Sequence, residues 1–385
     1  MELNSEKEII ASNNEKISAL FLCNEKFLNS LSTEGGVKFC TDEYIKLIQL
    51  NFDLTLIPVS YSTRWSFRLK LKLGLSAYDA YQPEEYNLLL RKNLDNTDIN
   101  IVFLNLTNTI QFAEFIKKKW PHVKVILCSH GNESGDHLHS IALHKNYKGI
   151  LRNSAIYSLG NMLLKESHFR KYIDLVLTVS DVEVGIEKWL GTENILMVPR
   201  FIAINNIERK PVNGRVGFLA DLTHEPNFYG IKEVCEALKK LGAGYTTLHL
   251  VGAGKERGLI LARLYPFVKY VGYLNEVELN DELKTWTFAL NPVFYYSRGV
   301  STKLGKALGM GLPVITTEKG MRGYEWTNGM LPVCNTADEM AELINKLSIN
   351  IEAIQNYNME VIKIQSTSTS LNETAKKLVQ FLKVS

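Results

Sequence analysis

The stretch Gly299–Gly320, GVSTKLGKALGMGLPVITTEKG, sets Lys303 and Lys306 in the opening turns of a short helix. Unpaired amides at a helix start attract anions, and the backbone dipole disfavours cations there. A lysine at that point costs about 0.3–1 kcal/mol unless something negative binds. The chemistry this spacing suits is the docking of a diphosphate, with Lys303 adding a full charge one turn in. The alternative is that both lysines point into water, which suffices for Lys306 taken alone. Ser301 or Thr302 is expected to cap the helix, Gly311 to end it and Pro313 to block its continuation. VITT, residues 314–317, then reads as a buried strand.

A second cluster is CSHGNESGDHLHSIALHK. His130 follows an apolar run that reads as a buried strand, so it stands at the carboxyl end of a sheet, facing a cleft. The alternative is a loop histidine with no chemical role. His137, His139 and His144 have a spacing compatible with zinc but no acid-supported arrangement around it, and no metal is expected. Gly35 and Gly36 precede a helix and either admit a ligand close to the backbone or make a plain turn. VGAGKERG is not a phosphate loop of the Walker type, because Glu256 follows Lys255 where Ser or Thr is needed. ITTEKGMRGYEW carries Glu318, Lys319, Arg322 and Glu325 in a loop of the kind that lines clefts. In residues 64–73, Trp65, Phe67, Leu69, Leu71 and Leu73 alternate with Arg68, Lys70 and Lys72. That period of two predicts a strand or extended arm, which either covers the N-terminal core or touches an anionic membrane or a lipid-linked acceptor.

The elements that hold these residues follow from the apolar pattern. KISALFLC, DLTLIPVS, DINIVFLNL, HVKVILCSH and DLVLTVS read as strands separated by helical sequence. MVPRFIAINNIERKPVNG, with two prolines and a charge cluster, reads as a linker, and GRVGFLA, TTLHLVGAG, VKYVGYL, FALNPV and LPVITT begin a second series. The expectation is an α/β protein with two doubly wound parallel sheets facing each other across a cleft. The boundaries are a flexible N-terminus at 1–16, domains at 17–200 and 215–365, and a linker at 201–214. A C-terminal helix at 366–385 follows, with the N-terminal domain as its candidate packing partner. A length of 385 residues fits two domains, and 45% hydrophobic with 22% charged residues fits a globular protein. A net charge of +3 gives no broad field for nucleic acid. The five cysteines are scattered, without a CxxC pair, as in a reducing cytosol. The polar N-terminus is unlike a signal peptide, and no apolar run is long enough to span a membrane. The expected location is cytoplasmic, with a peripheral position at the inner face of the membrane as a further option.

NPVFYYSRGVSTKLGKALGMGLPVITTEKGMRGY resembles the donor-binding segment of the family-four retaining glycosyltransferases of GT-B fold. Pro292, Gly299, Lys303, Ala307, Gly311, Pro313, Val314, Thr316 and Gly323 match its pattern. Pro226 and Asn227 match upstream. LHLVGAGKE and VKYVGYLNEVELNDEL fall on two of its strand ends, so Gly272 and Tyr273 are carried over as donor-binding. STEGGVKFCTDEYIKLIQ is similar to the family's Gly-Gly loop, which assigns Gly35 and Gly36 to the cleft. The family often has a histidine near the donor sugar, at the position of His130. The similarity covers most of residues 17–345 and is tightest in the second half.

Two departures stand out. The family usually has two glutamates where this chain has Arg298 and Lys306. A carboxylate accepts from a ribose diol, whereas an ammonium has no acceptor. The family's basic pair after the first strand of the second domain is also absent from ADLTHEPN. Arg298 is therefore assigned to the anion beside Lys303, because Arg suits bidentate phosphate contact, with Gly299 and Val300 giving amides.

The resemblance implies a glycosyltransferase that moves a sugar from a nucleotide-diphosphate donor to a glycan or lipid-linked acceptor in surface polysaccharide or glycoconjugate synthesis. It implies no resident cofactor. The alternative is an inactive transferase-like subunit that binds glycan or steadies an active partner. A sugar-nucleotide epimerase of the same architecture has little support in the matched motifs.

Overall fold

The computed structural model describes residues 16–28, 35–72, 78, 80–95, 97–143, 149–295 and 298–384. In the first half the order is β1 (Ile17–Asn24), α1 (Glu25–Leu28), α2 (Gly36–Gln49), β2 (Phe52–Val59), α3 (Trp65–Lys72), α4 (Asn87–Leu94) and β3 (Ile101–Asn105). It continues with α5 (Gln111–Lys119), β4 (Lys124–Cys128), α6 (Glu133–Leu143), α7 (Gly149–Arg170), β5 (Leu175–Thr178), α8 (Asp181–Trp189) and β6 (Ile195–Met197). The second half begins with β7 (Arg215–Leu219), α9 (Glu225–Leu241), β8 (Thr247–Val251), α10 (Lys255–Leu264), β9 (Val268–Gly272), α11 (Glu276–Leu283) and β10 (Phe288–Asn291). It ends with α12 (Thr302–Gly309), β11 (Val314–Thr316), α13 (Glu318–Met321), α14 (Ala337–Leu347), α15 (Ile351–Thr367) and α16 (Leu371–Val384).

The strands form two parallel sheets, in the orders β2-β1-β3-β4-β5-β6 and β11-β10-β7-β8-β9. Helical crossovers cover both faces, so central strands are apolar throughout rather than on one side. Side chains of β1 alternate between two cores. Leu20 and Leu22 enter one with Leu104, Phe112 and Ile116, while Ala19, Phe21 and Cys23 enter the other with Leu47 and Ile48. Against β7 the fully buried Trp286 packs so closely that a Cβ on Gly217 of that strand would sit 2.0 Å from its ring.

Residues 198–212, between β6 and β7, have no regular secondary structure yet lie along the second domain. Asn205 N–H donates to Gly309 O at 2.7 Å, Lys210 N–H to Lys284 O at 2.9 Å and Val212 N–H to Thr285 O at 2.8 Å. The chain then returns. Ala375 and Leu378 of α16 are buried in the same core as Phe21 and Leu47, and Lys124 Nζ donates to Leu382 O at 3.1 Å.

Three local expectations change. The alternating segment 64–73 is not extended, because Trp65–Lys72 is the helix α3. It has no β-branched residue, and Leu, Arg and Lys are strong helix formers, so propensity overrides the alternation. The short edge strand β6 was not expected. Neither Ser301 nor Thr302 caps α12 through its side chain. Residues 1–15 lie outside the described residues. No helix among the described residues is long and apolar enough to cross a membrane.

Leu378 is fully buried, so Leu378→Ala is expected to lower the unfolding free energy by about 2–5 kcal/mol. Urea unfolding followed by circular dichroism measures this, and an unchanged midpoint would separate α16 from the core.

Candidate anion-binding site between the two sheets

Chain order reverses beside a central strand in each sheet, between β1 and β3 and between β7 and β10. Helices leaving such paired strands diverge to opposite faces and open a crevice at their carboxyl ends. Here the two crevices meet. A Cβ built on Gly36, the first residue of α2, would lie 3.6 Å from Thr302 Cγ2, in the first residue of α12. Two helix starts therefore meet nearly tip to tip. Gly35 has no side chain to cap α2, and Ser301 Oγ is turned to Asn291 Oδ1 at 2.7 Å. Neither first turn holds an acidic residue. Each tip carries a positive partial charge of about +0.5, so the pair repel unless an anion lies between them.

Lys303 reinforces that field. Its Nζ donates to Asn227 Oδ1 at 2.8 Å and has no carboxylate partner among the described residues. Burial pushes its pKa down to about 8. The His224 imidazole, also lowered, owes its shift first to burial and then to the Lys303 charge. Tyr324 sits inside the first turn of α12, where its hydroxyl accepts from Gly305 N–H at 3.1 Å and donates to Ser301 O at 2.9 Å. Gly305 is required there, because a Cβ would lie 2.6 Å from that hydroxyl. Lys306 lies half-buried, and with Leu219, Trp286, Lys303 and Met310 it lines a cavity of about 10 Å³, room for one water. Gly272 ends β9 at a φ of +98°, and the following Tyr273 is 76% exposed.

His130 is buried after β4, and its tautomer follows from its neighbours. Thr41 Oγ1 donates to Val37 O at 2.9 Å, so it accepts from Asn105 Nδ2 at 3.0 Å. Asn105 then presents Oδ1 to His130 Nε2 at 3.0 Å, and Nε2 must carry the proton. Nδ1 is left as a buried acceptor without a partner. Burial, then the Arg200 and Arg298 charges, hold the ring well below the usual histidine range, so it is neutral.

Arg298 is not open to solvent anions. Its backbone N–H donates to Asp136 Oδ1 at 3.1 Å, its Nε pairs with Asp136 Oδ2 at 2.7 Å, and Nη1 pairs with Glu133. The Gly299 amide donates to Glu183 Oε1 at 3.0 Å. Val300 packs into the N-terminal core. The loop thus faces the other domain, with the amides of Thr302 and Lys303 at the meeting of the helix starts. Arg322 Nη2 donates to Gly299 O, and Lys319 Nζ donates to Phe294 O at 2.8 Å. His137 Nε2 meets Ala155 O at 3.0 Å, and His144 lies outside the described residues. Among the described residues no group of three or more His, Cys, Asp or Glu is placed to hold a metal ion.

Sequence reasoning missed Glu133, Asp136, Glu183, Tyr324 and the two buried asparagines. Asn105 and Asn291 carried a signal, since each closes an otherwise apolar strand at its carboxyl end. The acidic residues carried none, because only folding brings them to the loop.

Comparison with known proteins bears on the second domain and on the whole fold. Residues 213–350 match the family model described as Glycosyl transferases group 1. No curated protein matches by sequence. Among solved structures, sucrose-phosphate synthase from Thermosynechococcus elongatus superposes with a TM-score of 0.65 at 13% identity, covering 96% of this chain and 98% of that one. TarM, known from S. aureus, gives 0.64 at 12% identity over 96% and 99%. The trehalose-6-phosphate structure from E. coli bound with UDP-2-fluoro glucose gives 0.57 at 10% over 95% and 99%. Residues 213–350 thus resemble a group 1 glycosyl transferase domain, and the chain as a whole has the GT-B fold of two Rossmann-like domains.

Lys303 is charged below a pKa of about 8 and neutral above it. Affinity for a nucleoside diphosphate is expected to be flat at lower pH and to weaken above pH 8, by up to about tenfold per unit. Lys303→Arg should move the fall out of range, and Lys303→Met should bind weakly at every pH. Titration calorimetry from pH 6.5 to 9.5 reads these profiles.

Proposed function

We propose that this protein is a retaining glycosyltransferase that takes a sugar from a nucleotide-diphosphate donor and passes it to a glycan or lipid-linked acceptor. The observation that carries the reading is the facing pair of uncapped helix starts, at Gly36 and Thr302, with Lys303 beside them and no carboxylate on it. A diphosphate is the simplest ligand that converts this repulsion into attraction, because it offers acceptors to both tips at once.

The chemistry then rests on the leaving group. As the sugar–phosphate bond breaks, negative charge grows on the diphosphate, where the amides of Thr302 and Lys303 and the Lys303 ammonium stabilise it. His130 is neutral and offers Nδ1 as an acceptor, which suits orienting a sugar hydroxyl and not donating a proton. Gly272 and Tyr273 are assigned to the nucleoside side, where the exposed ring provides a stacking face. Retention is supported by likeness to a trehalose-6-phosphate synthase whose structure was described in terms of glycosyl transfer with retention. A UDP donor is supported by a S. aureus TarM variant solved with fondaparinux, alpha-GlcNAc-glycerol and UDP. We assign no resident cofactor, and we place the chain in the cytoplasm, a reducing compartment that suits five free, buried cysteines.

The acceptor side includes a proposed membrane contact at α3. Trp65 is 77% exposed and Leu69 47%, next to exposed Arg64 and Arg68. An apolar pair ringed by cations suits an anionic lipid surface. Flotation with vesicles of anionic lipid is expected to carry the wild type and to lose Trp65→Ser/Arg68→Glu, and no flotation of the wild type removes this contact.

The second reading, an inactive subunit, is favoured by one observation, that Arg298 and Lys306 stand where the resembled family has glutamates. Hydrolysis separates the two. Purified protein is expected to release nucleoside diphosphate from at least one of a panel of nucleotide sugars, with Lys303→Ala slower by about 10- to 100-fold, the loss expected of a charge-assisted contact. A folded protein whose melting temperature no nucleotide raises would support the inactive subunit instead.

A further inference from the structure

Three carboxylates of the first domain converge on two consecutive residues of the second. Glu133 and Asp136 open α6, and Glu183 lies in the first turn of α8. Between them they hold the Arg298 guanidinium, the Arg298 amide and the Gly299 amide. The contact is tight on its other side as well. Gly131 has a φ of +95°, and a Cβ there would lie 2.8 Å from Arg298 Cβ and 2.9 Å from Gly299 N. One on Gly299 would lie 3.0 Å from His130 O.

This contact is also braced from beneath. Glu166 of α7 is fully buried and accepts from Ser134 N–H at 3.1 Å and Ser134 Oγ at 2.6 Å, and Tyr78 donates to it too. The start of α6, and with it Glu133 and Asp136, is therefore fixed to its own domain. Arg298 has a side-chain exposure of 25% and Glu133 of 23%, so their pair is only partly screened by solvent.

We propose that Arg298 is an interdomain latch that holds the cleft shut against the donor. At Gly36 and Thr302 the seam would admit little more than a methyl group, since a Cβ built on Gly36 would already lie 3.6 Å from Thr302 Cγ2. A phosphate is larger than a methyl group, so the domains must part before a diphosphate lies between the two tips. Parting them breaks the Arg298 contacts with Glu133 and Asp136 and the Gly299 contact with Glu183. Apparent affinity is then the intrinsic affinity scaled by the fraction of molecules that are unlatched. Arg298 thus opposes donor entry and is not a phosphate clamp. This consequence for binding rests on the proposed donor site, whereas the latch itself rests on the contacts alone.

The test pairs two measurements on the full chain. Titration calorimetry uses UDP and GDP as probes, and small-angle scattering reads the radius of gyration without ligand. Arg298→Ala is expected to bind whichever probe binds the wild type at least about fivefold more tightly, the worth of a modest ion-pair contact. Its radius of gyration should exceed that of the wild type. Glu133→Gln/Asp136→Asn attacks the same contact from the other domain and should act in the same direction, which guards against a folding defect in one variant. Weaker binding by Arg298→Ala would make Arg298 a phosphate clamp and overturn the latch, as would unchanged affinity with unchanged dimensions. If no variant binds either nucleotide yet both sets of substitutions expand the protein, the latch stands and the donor reading falls.

Discussion

The arrangement depends on one electrostatic constraint, the meeting of two helix starts with no side-chain cap on either. Helices α2 and α12 come from different domains, yet their first residues lie so close that a Cβ built on Gly36 would be 3.6 Å from Thr302 Cγ2. Ordinary capping would neutralise each tip locally. Here glycine stands at one N-cap, and the serine at the other has its hydroxyl committed to Asn291. The unspent field is reinforced by the charge of Lys303, whose pKa burial pushes down to about 8. An enclosed set of positive ends is costly in an empty protein and useful in one that binds an anion.

The two domains solve the positioning problem in the same way. Each ends a central strand in a fully buried asparagine, Asn105 in β3 and Asn291 in β10. A buried amide must satisfy both its donors and its acceptor, so its orientation is fixed by its neighbours. Asn105 thereby sets the tautomer of His130, and Asn291 draws the Ser301 hydroxyl away from the helix start it would otherwise cap. Tyr324 completes the second arrangement by entering the first turn of α12. Rigid sheet ends thus control groups that lie on loops.

Charge is distributed unevenly across the seam. The first domain supplies acids, Glu133, Asp136 and Glu183, and the second supplies Arg298 and the amide of Gly299. Lys303, a few residues further on, has the neutral Asn227 as its hydrogen-bond partner and no carboxylate partner among the described residues. The acids therefore satisfy one end of the loop and leave the other hungry for an anion. That division separates holding the domains together from binding between them, within a single turn of chain.

The sequence by itself determined the architecture. Short, nearly continuous apolar runs alternating with helical spacing dictate buried parallel strands, and this local information suffices because both faces of each sheet are covered by the helices that follow in the chain. It also placed Lys303 at a helix start and two glycines at the start of α2, since these are matters of neighbouring residues. It misjudged residues 64–73, where alternation and helix propensity conflict and the packing of Phe67 against the core decides. The partners of Arg298 were beyond its reach. Glu133 and Asp136 are more than 160 residues away in the chain and Glu183 more than 110, and nothing in the local pattern marks an acid that will cross a domain boundary. Only the tertiary structure brings the two switch points face to face, and only that approach turns an arginine that suits phosphate into one already held by carboxylates.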